Sequence, residues 1–257
     1  MQLFDAHNHL QDERIFPDIE GVMRRAREAG VVAMGIKGCC ESDWPQVVEI
    51  TGKYKGVHPA FGLHPWFIAK RSNAWLETLE HMLEQHSHAS VGEIGIDHMV
   101  ADYDQADQEL VFLSQMDLAR RLQRPVSIHC RGAWGRLIEL LDDFGEVSRG
   151  MLIHCFGGSA EVAVELVKRG AYISFAGSIT RLNNKKAGPA IRAVPDDRIL
   201  IETDAPDILP TTAEGPLNEP ANIRLVLAKA AECKGCSEEE FAERTFRNAE
   251  RFFGSAE

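Results

Sequence analysis

The sequence predicts an α/β fold, a TIM (β/α)8 barrel with one helix added at the C-terminus, and three observations carry the prediction. Short apolar runs alternate with longer amphipathic ones from end to end, the pattern of βαβ units around a parallel sheet. Eight of those runs read as strands, and 257 residues is the usual size of such a barrel built as one domain. The third observation is where the polar residues stand. His7, His9, Glu93, His129, His154 and Asp204 lie at the tail ends of five separate runs, and a parallel barrel gathers the carboxyl ends of its strands on one face. Element order also fits an open doubly wound sheet, because it does not decide whether the sheet closes.

Taken in order, strands are expected at 2–6, 31–36, 59–63, 90–95, 126–129, 151–154, 171–175 and 199–203. Between them lie helical patterns such as 19–29, stopped by Gly30, and 108–122, with Leu110, Leu113, Leu118 and Leu122 among its apolar positions. Ser159 is placed to cap a helix running to Arg169, with Gly170 ending it. Residues 205–220 carry four prolines, close on Asn218-Glu219-Pro220 and read as an ordered loop. Two helices finish the chain, 221–232 and one begun by Ser237 with Glu240 three residues on, the spacing of a capping box.

No stretch reaches the roughly 18 consecutive apolar residues that span a bilayer, and Met1 leads into a strand rather than a basic and apolar signal. The expectation is a soluble, cytoplasmic protein with no membrane partner and, lacking a heptad seam, no obligate protein partner. A formal net charge of -11 argues against a broad surface that grips duplex phosphates. A polyanion would have to be held locally, where bound cations reverse the sign of the field. The six cysteines lack the spacing of a secreted disulfide framework. Cys233-x-x-Cys236 has half the spacing of a zinc knuckle and no second pair, so it reads as structural. Cys130 and Cys155 each follow a polar strand end and read as packing residues facing the helices.

The candidate site builds up from single residues. His7 and His9 are two apart at a strand end, so both imidazoles share one face, and burying them together near Asp5 is hard to satisfy without a metal or a dense hydrogen-bond network. Glu93 interrupts an apolar run between Gly92 and Gly95; a carboxylate there bridges two cations or sits in a structural salt bridge, and the residue alone leaves both open. His129 and His154 repeat one arrangement, an imidazole closing a short apolar strand, followed in each case by cysteine. Asp204 shares its face with Glu202, and two acids in one barrel mouth repel unless cations lie between them. Asp204 is therefore a candidate ligand and proton acceptor for the attacking water, with Glu202 in support. His64 stands ready to donate to a substrate oxygen or to serve the core. Arg131 is placed for an anionic substrate group or a surface ion pair. His58, His81, His86, His88 and His98 are expected in exposed loops or helices.

Asp5-Ala6-His7-Asn8-His9, Gly62-Leu63-His64-Pro65, Gly92-Glu93-Ile94-Gly95-Ile96-Asp97, His129-Cys130-Arg131, His154-Cys155-Phe156 and Glu202-Thr203-Asp204-Ala205-Pro206, followed by Asn218-Glu219-Pro220, resemble the TatD family of metal-dependent deoxyribonucleases. The likeness runs in order over nearly the whole chain, and the motifs are specific as a set. It implies an amidohydrolase-like TIM barrel, two divalent ions and 3′–5′ exonuclease-type phosphodiester hydrolysis. It also implies that His7, His9, Glu93 and Asp204 hold one ion and that Glu93 bridges to a second held by His129 and His154. Where the family's acidic motif reads Gly-Leu-Asp and an aromatic residue, this chain reads Gly95-Ile96-Asp97-His98, a departure expected to fall in a substrate-facing loop.

The expected reaction is hydrolysis assisted by two ions, drawn from zinc, manganese, magnesium and nickel, with Glu93 and Asp204 as the catalytic carboxylates. His64 and Arg131 would orient the phosphate, with Arg181, Lys185 or Lys186 reaching in from the loop after the seventh strand. Single-stranded DNA or DNA ends suit an acidic shell around a cationic pocket. Two other readings keep the barrel: hydrolysis of a small amide, ester or lactone, and a metal-stabilised binding module without turnover.

Overall fold

Eight strands form one parallel sheet whose spatial order is their order in the sequence, in a computed structural model that describes residues 1–101, 104–147 and 149–254. They are β1 (Leu3–Asn8), β2 (Val31–Lys37), β3 (Val57–Phe61), β4 (Ser90–Asp97), β5 (Val126–Arg131), β6 (Met151–Ile153), β7 (Ala171–Phe175) and β8 (Ile199–Ile201). Helices α1 (Ile19–Glu28), α2 (Trp44–Lys53), α3 (Trp75–Gln85), α4 (Gln105–Arg121), α5 (Trp134–Phe144), α6 (Ala160–Lys168), α7 (Ala187–Ala193) and α8 (Ile223–Lys234) follow the strands in turn, and α9 (Glu238–Phe253) is the added terminal helix. The strands are Val- and Ile-rich and buried on both faces, since helices cover the outside and side chains fill the interior.

The seam between β8 and β1 decides for a barrel over an open sheet. Asp204 N donates to His7 O at 2.9 Å and His9 N to Ala205 O at 2.7 Å, joining the last strand's exit to the first strand's end. Beneath them, buried Asp5 accepts from Thr203 N at 2.8 Å and Thr203 Oγ1 at 2.6 Å, with Asn8 Nδ2 at 3.1 Å from the same carboxylate. Closure therefore rests on main-chain bonds and one fully buried acid, and it sets His7 and His9 beside Asp204.

At the opposite end, α9 plugs the barrel. Phe252 and Ala249 pack with Phe4, Ala33, Leu152, Tyr172 and Leu200, which stand early in their strands. Asn248 ties the helix to the start of β8 by donating to Ile199 O at 2.8 Å. Ser237 and Glu240 form the expected capping box, and Ser159 caps α6 by accepting from Val162 N. The 205–220 loop is held by Asn218, fully buried, whose Nδ2 donates to Thr203 O at 2.7 Å.

Several boundaries move, each for a packing reason. β1 runs to Asn8, β3 lies at Val57–Phe61, and β4 and β5 continue as a ladder to the pair Asp97 and Arg131, whereas β6 and β8 stop short because the chain turns His154 and Asp204 over the mouth. His58 is thereby a strand residue, half-buried between Phe4 and Phe253 rather than in a loop. α4 starts at Gln105 and turns Leu110 outward, 63% exposed. Its buried face instead carries two glutamines. Gln108 accepts from Asp97 N at 2.8 Å and Gln115 from Leu63 N at 2.7 Å, pinning two chain segments next to the mouth. Cys130 packs in the core as expected, and Cys233 and Cys236 pack against it. Among the described residues no helix is long and apolar enough to cross a membrane.

Thr203→Val keeps the shape at the seam and removes one donor from buried Asp5. Urea denaturation is expected to show about 1–3 kcal/mol less unfolding free energy with an unchanged m-value; no loss would mean that the seam does not depend on this bond.

Candidate metal centre

The six polar strand-end residues meet at the carboxyl face, and Glu93 is their centre. It is 2% exposed, and its two oxygens face different histidines. Oε2 lies 3.1 Å from His7 Nε2 and 3.1 Å from His9 Nε2. Oε1 lies 2.7 Å from His154 Nε2, 3.0 Å from His129 Nδ1 and 3.1 Å from His64 Nε2. Asp204 Oδ1 completes the first group at 3.5 Å from His9 Nε2 and 3.8 Å from His7 Nε2. The His7 and His154 rings stack at 3.8 Å and tie the two groups together.

Local backbone makes this convergence possible. Gly95 has φ +149°, and a side chain there would strike the His129 carbonyl as β4 passes β5. Asp204 has φ +57°, a left-handed conformation that aspartate tolerates, and this turns its carboxylate back over the mouth after β8 has ended.

The outer nitrogens of the imidazoles settle what the inner ones offer. His9 Nδ1 donates to Lys37 O at 2.8 Å, so its Nε2 carries the lone pair when the ring is neutral. His129 Nε2 faces Asp97 Oδ2 at 3.1 Å, His154 Nδ1 faces Glu202 Oε1 at 3.4 Å, and His7 Nδ1 meets Ser127 Oγ at 3.2 Å. Lone pairs and carboxylate oxygens thus point at one another, with His7 and His9 Nε2 only 3.2 Å apart and His129 Nδ1 and His154 Nε2 also 3.2 Å apart. Such a donor set is satisfied by cations. Ligand bonds of roughly 2.0–2.1 Å place donors about 3.3 Å apart around a tetrahedral ion, close to the spacings found here. His7, His9 and Asp204 form one group with metal-binding geometry, and His64, Glu93 and His129 another. The residues fit a divalent metal.

The electrostatics agree. Burial acts to raise the Glu93 carboxyl, but His154, His64, His7 and the bond from His129 hold it well below the usual carboxylate range. Asp204 is likewise lowered against the effect of burial, first by its bond with His9. Burial brings His64 down to about 4, so the ring is neutral near pH 7. Since His64 Nδ1 accepts from Trp66 N at 3.1 Å, its Nε2 carries the proton and donates to Glu93. Both of its nitrogens are engaged inside the protein, and it serves the central carboxylate rather than the open mouth. Arg131 is exposed at the end of β5.

Two sequence expectations change. Asp97 belongs to no substrate-facing loop: it ends β4, is fully buried and binds His129, with its carboxyl pulled to about 2 by bonds from His129, Trp66 and Met99 N that outweigh burial. Cys155 does not face the helices. The chain has left β6 and adopts φ +42°, so strand alternation no longer holds, and burial, with the charge of Asp204 added to it, pushes its thiol well up. Cys39 was missed as well. Its Sγ lies 3.5 Å from His9 Nδ1, and burial pushes the thiol up to about 12. Nothing in Cys39-Cys40, two residues past a strand, marks such a position.

A family model described as "TatD related DNase" matches residues 4–254. The chain belongs to this family. TatD membership makes it a hydrolytic enzyme. The metal-dependent hydrolase YabD of Bacillus subtilis is 34% identical over 251 residues, 98% of each chain. The 3′-5′ ssDNA/RNA exonuclease TatD of Citrobacter koseri is 29% identical over 99% of this chain and 100% of its own. The crystal structure of YjjV, a TatD homologue from Escherichia coli K12, superposes with a TM-score of 0.93 at 29% identity, covering 98% of both chains.

Asp97→Asn removes the anion behind His129. Calorimetric titration of chelator-stripped protein with Mn²⁺ or Zn²⁺ is expected to show about 10- to 100-fold weaker binding, and unchanged affinity would separate Asp97 from the metal centre.

Proposed function

We propose that the chain is a two-metal phosphodiester hydrolase, one domain over residues 1–257, that shortens single-stranded DNA or strand ends from the 3′ end. The observation that carries this reading is the Glu93 carboxylate, each of whose oxygens has its own set of imidazoles. His7, His9, Asp204 and Glu93 would hold one ion; Glu93, His129 and His154 the other. An imidazole-rich set suits zinc, manganese or nickel more than magnesium. Divalent ions supply Lewis-acid polarisation of a phosphoryl oxygen and ease the deprotonation of water.

The protein's own groups do the rest. Asp204 is anionic at neutral pH and stands at the mouth, where it takes the proton of the attacking water. Glu93 stays charged and keeps the two halves of the site in register, with neutral His64 donating to it. Glu202 accepts from Cys155 N at 2.6 Å and holds His154 from behind. Arg131, exposed beside His129, is positioned for a phosphate oxygen, and Arg181, Lys185 and Lys186 stand exposed on the loop after β7. These cations sit around the mouth of a chain with net charge -11, which favours a strand end over a wrapped duplex. The name of one relative, a metal-dependent hydrolase, supports the reaction class, and that of another, a 3′-5′ ssDNA/RNA exonuclease, the substrate class.

The test uses a 5′-labelled single-stranded oligonucleotide with Mn²⁺ or Mg²⁺. Wild type is expected to yield a ladder shortened from the 3′ end, Asp204→Asn to be slower by about 100-fold or more, and chelator to abolish the reaction. Metal-loaded protein that turns over small esters or amides and leaves the oligonucleotide whole would move the substrate class elsewhere.

A further inference from the structure

Among the described residues, Trp66 is the large aromatic side chain that the fold leaves open beside the metal centre. It follows Pro65 in the short 3-10 helix after β3, and 54% of it is exposed. Exposing an indole forgoes much of the stabilisation that burying it would bring. It is nevertheless not loose. Its Nε1 donates to Asp97 Oδ2 at 2.7 Å, the same oxygen that His129 meets at 3.1 Å, and its backbone N–H donates to His64. The ring stands nearly perpendicular to His64, 5.2 Å away at 88°, and 6.5 Å from His129 at 72°. The indole is thus locked by its one polar atom at the rim of the site. Among the described residues, Met99 and Leu182 are likewise exposed apolar side chains on loops at this end of the barrel, after β4 and β7.

We propose that Trp66 is a nucleobase platform: the base attached to the phosphate being cut stacks on the indole. The inference rests on the nuclease reading and deepens it. Stacking needs no particular base, because every base has a π-face, so the platform confers little sequence preference. It does require that the base be free of its pairing partner and its stacked neighbours, which makes an unpaired end the preferred substrate. The bond to Asp97 fixes the indole relative to His129, so base and phosphate are seated together.

The test compares two 5′-labelled single-stranded oligonucleotides, one ending in thymidine and one in a tetrahydrofuran abasic residue, with wild type, Trp66→Ala and Trp66→Phe in Mn²⁺. Wild type is expected to show a KM for the first cut roughly 5- to 100-fold higher on the abasic end. Trp66→Ala should show the raised KM on both ends and no sensitivity to the base. Trp66→Phe loses the donor to Asp97 but keeps a ring, and should stay sensitive to the base. Equal KM for both ends in wild type overturns the platform while leaving the nuclease reading intact, and so does an alanine variant that remains base-sensitive. A wild type that cuts neither oligonucleotide removes the nuclease reading and the platform together.

Discussion

A carboxylate buried at the centre of five imidazoles is the constraint on which this molecule is built. Glu93 is out of contact with water, and an anion in such a place stays charged only if positive or hydrogen-bonding groups meet it from every side. Neutral His64 meets it with a proton at 3.1 Å, and the other four histidine nitrogens, at 2.7–3.1 Å, present lone pairs that a cation shared with Glu93 would satisfy. Those histidines are in turn held from behind: Asp97 on His129, Glu202 on His154, Ser127 on His7 and the Lys37 carbonyl on His9. Rigid outer contacts select the tautomers, and the tautomers leave inward-facing lone pairs that bind cations.

The two ends of the barrel divide the labour. One end is sealed by α9, whose Phe253 stacks on Phe4 and whose Phe252 meets Tyr172 edge to face. The other end is polar, and its loops are pinned by buried amides and acids rather than by apolar packing. Gln108, Gln115 and Asn218 each bond main-chain groups of a neighbouring segment, which is how irregular backbone beside the mouth is satisfied without solvent. The rigidity of the site comes from these side chains as much as from the strands.

Between the two ends lies Lys37, fully buried at the end of β2 with its Nζ 4.5 Å from the Phe253 ring centroid. Burial lowers its pKa to about 7, against the pull of Glu202, Glu93 and Asp5. A cation here offsets part of the negative charge concentrated under the mouth. Among the described residues it is the single lysine or arginine that is fully buried, and the inward alternation of β2 places it there, with the Phe253 ring beside its ammonium.

The sequence by itself determined the α/β class with its parallel strands, the count of eight, the added terminal helix and the six residues that converge. Those features are set by local periodicity and by which side of a strand end a residue occupies, both readable along the chain. It did not determine closure, which depends on Asp5 meeting Thr203 nearly two hundred positions away. Nor did it reveal that Asp97 lies behind His129, that His64 turns to Glu93, or that Cys155 has left its strand. Each of those depends on register between strands and on backbone turns after strand ends, where period-two alternation no longer applies. Trp66 was silent for the same reason: its exposure and its bond to Asp97 exist only once two strand exits lie side by side.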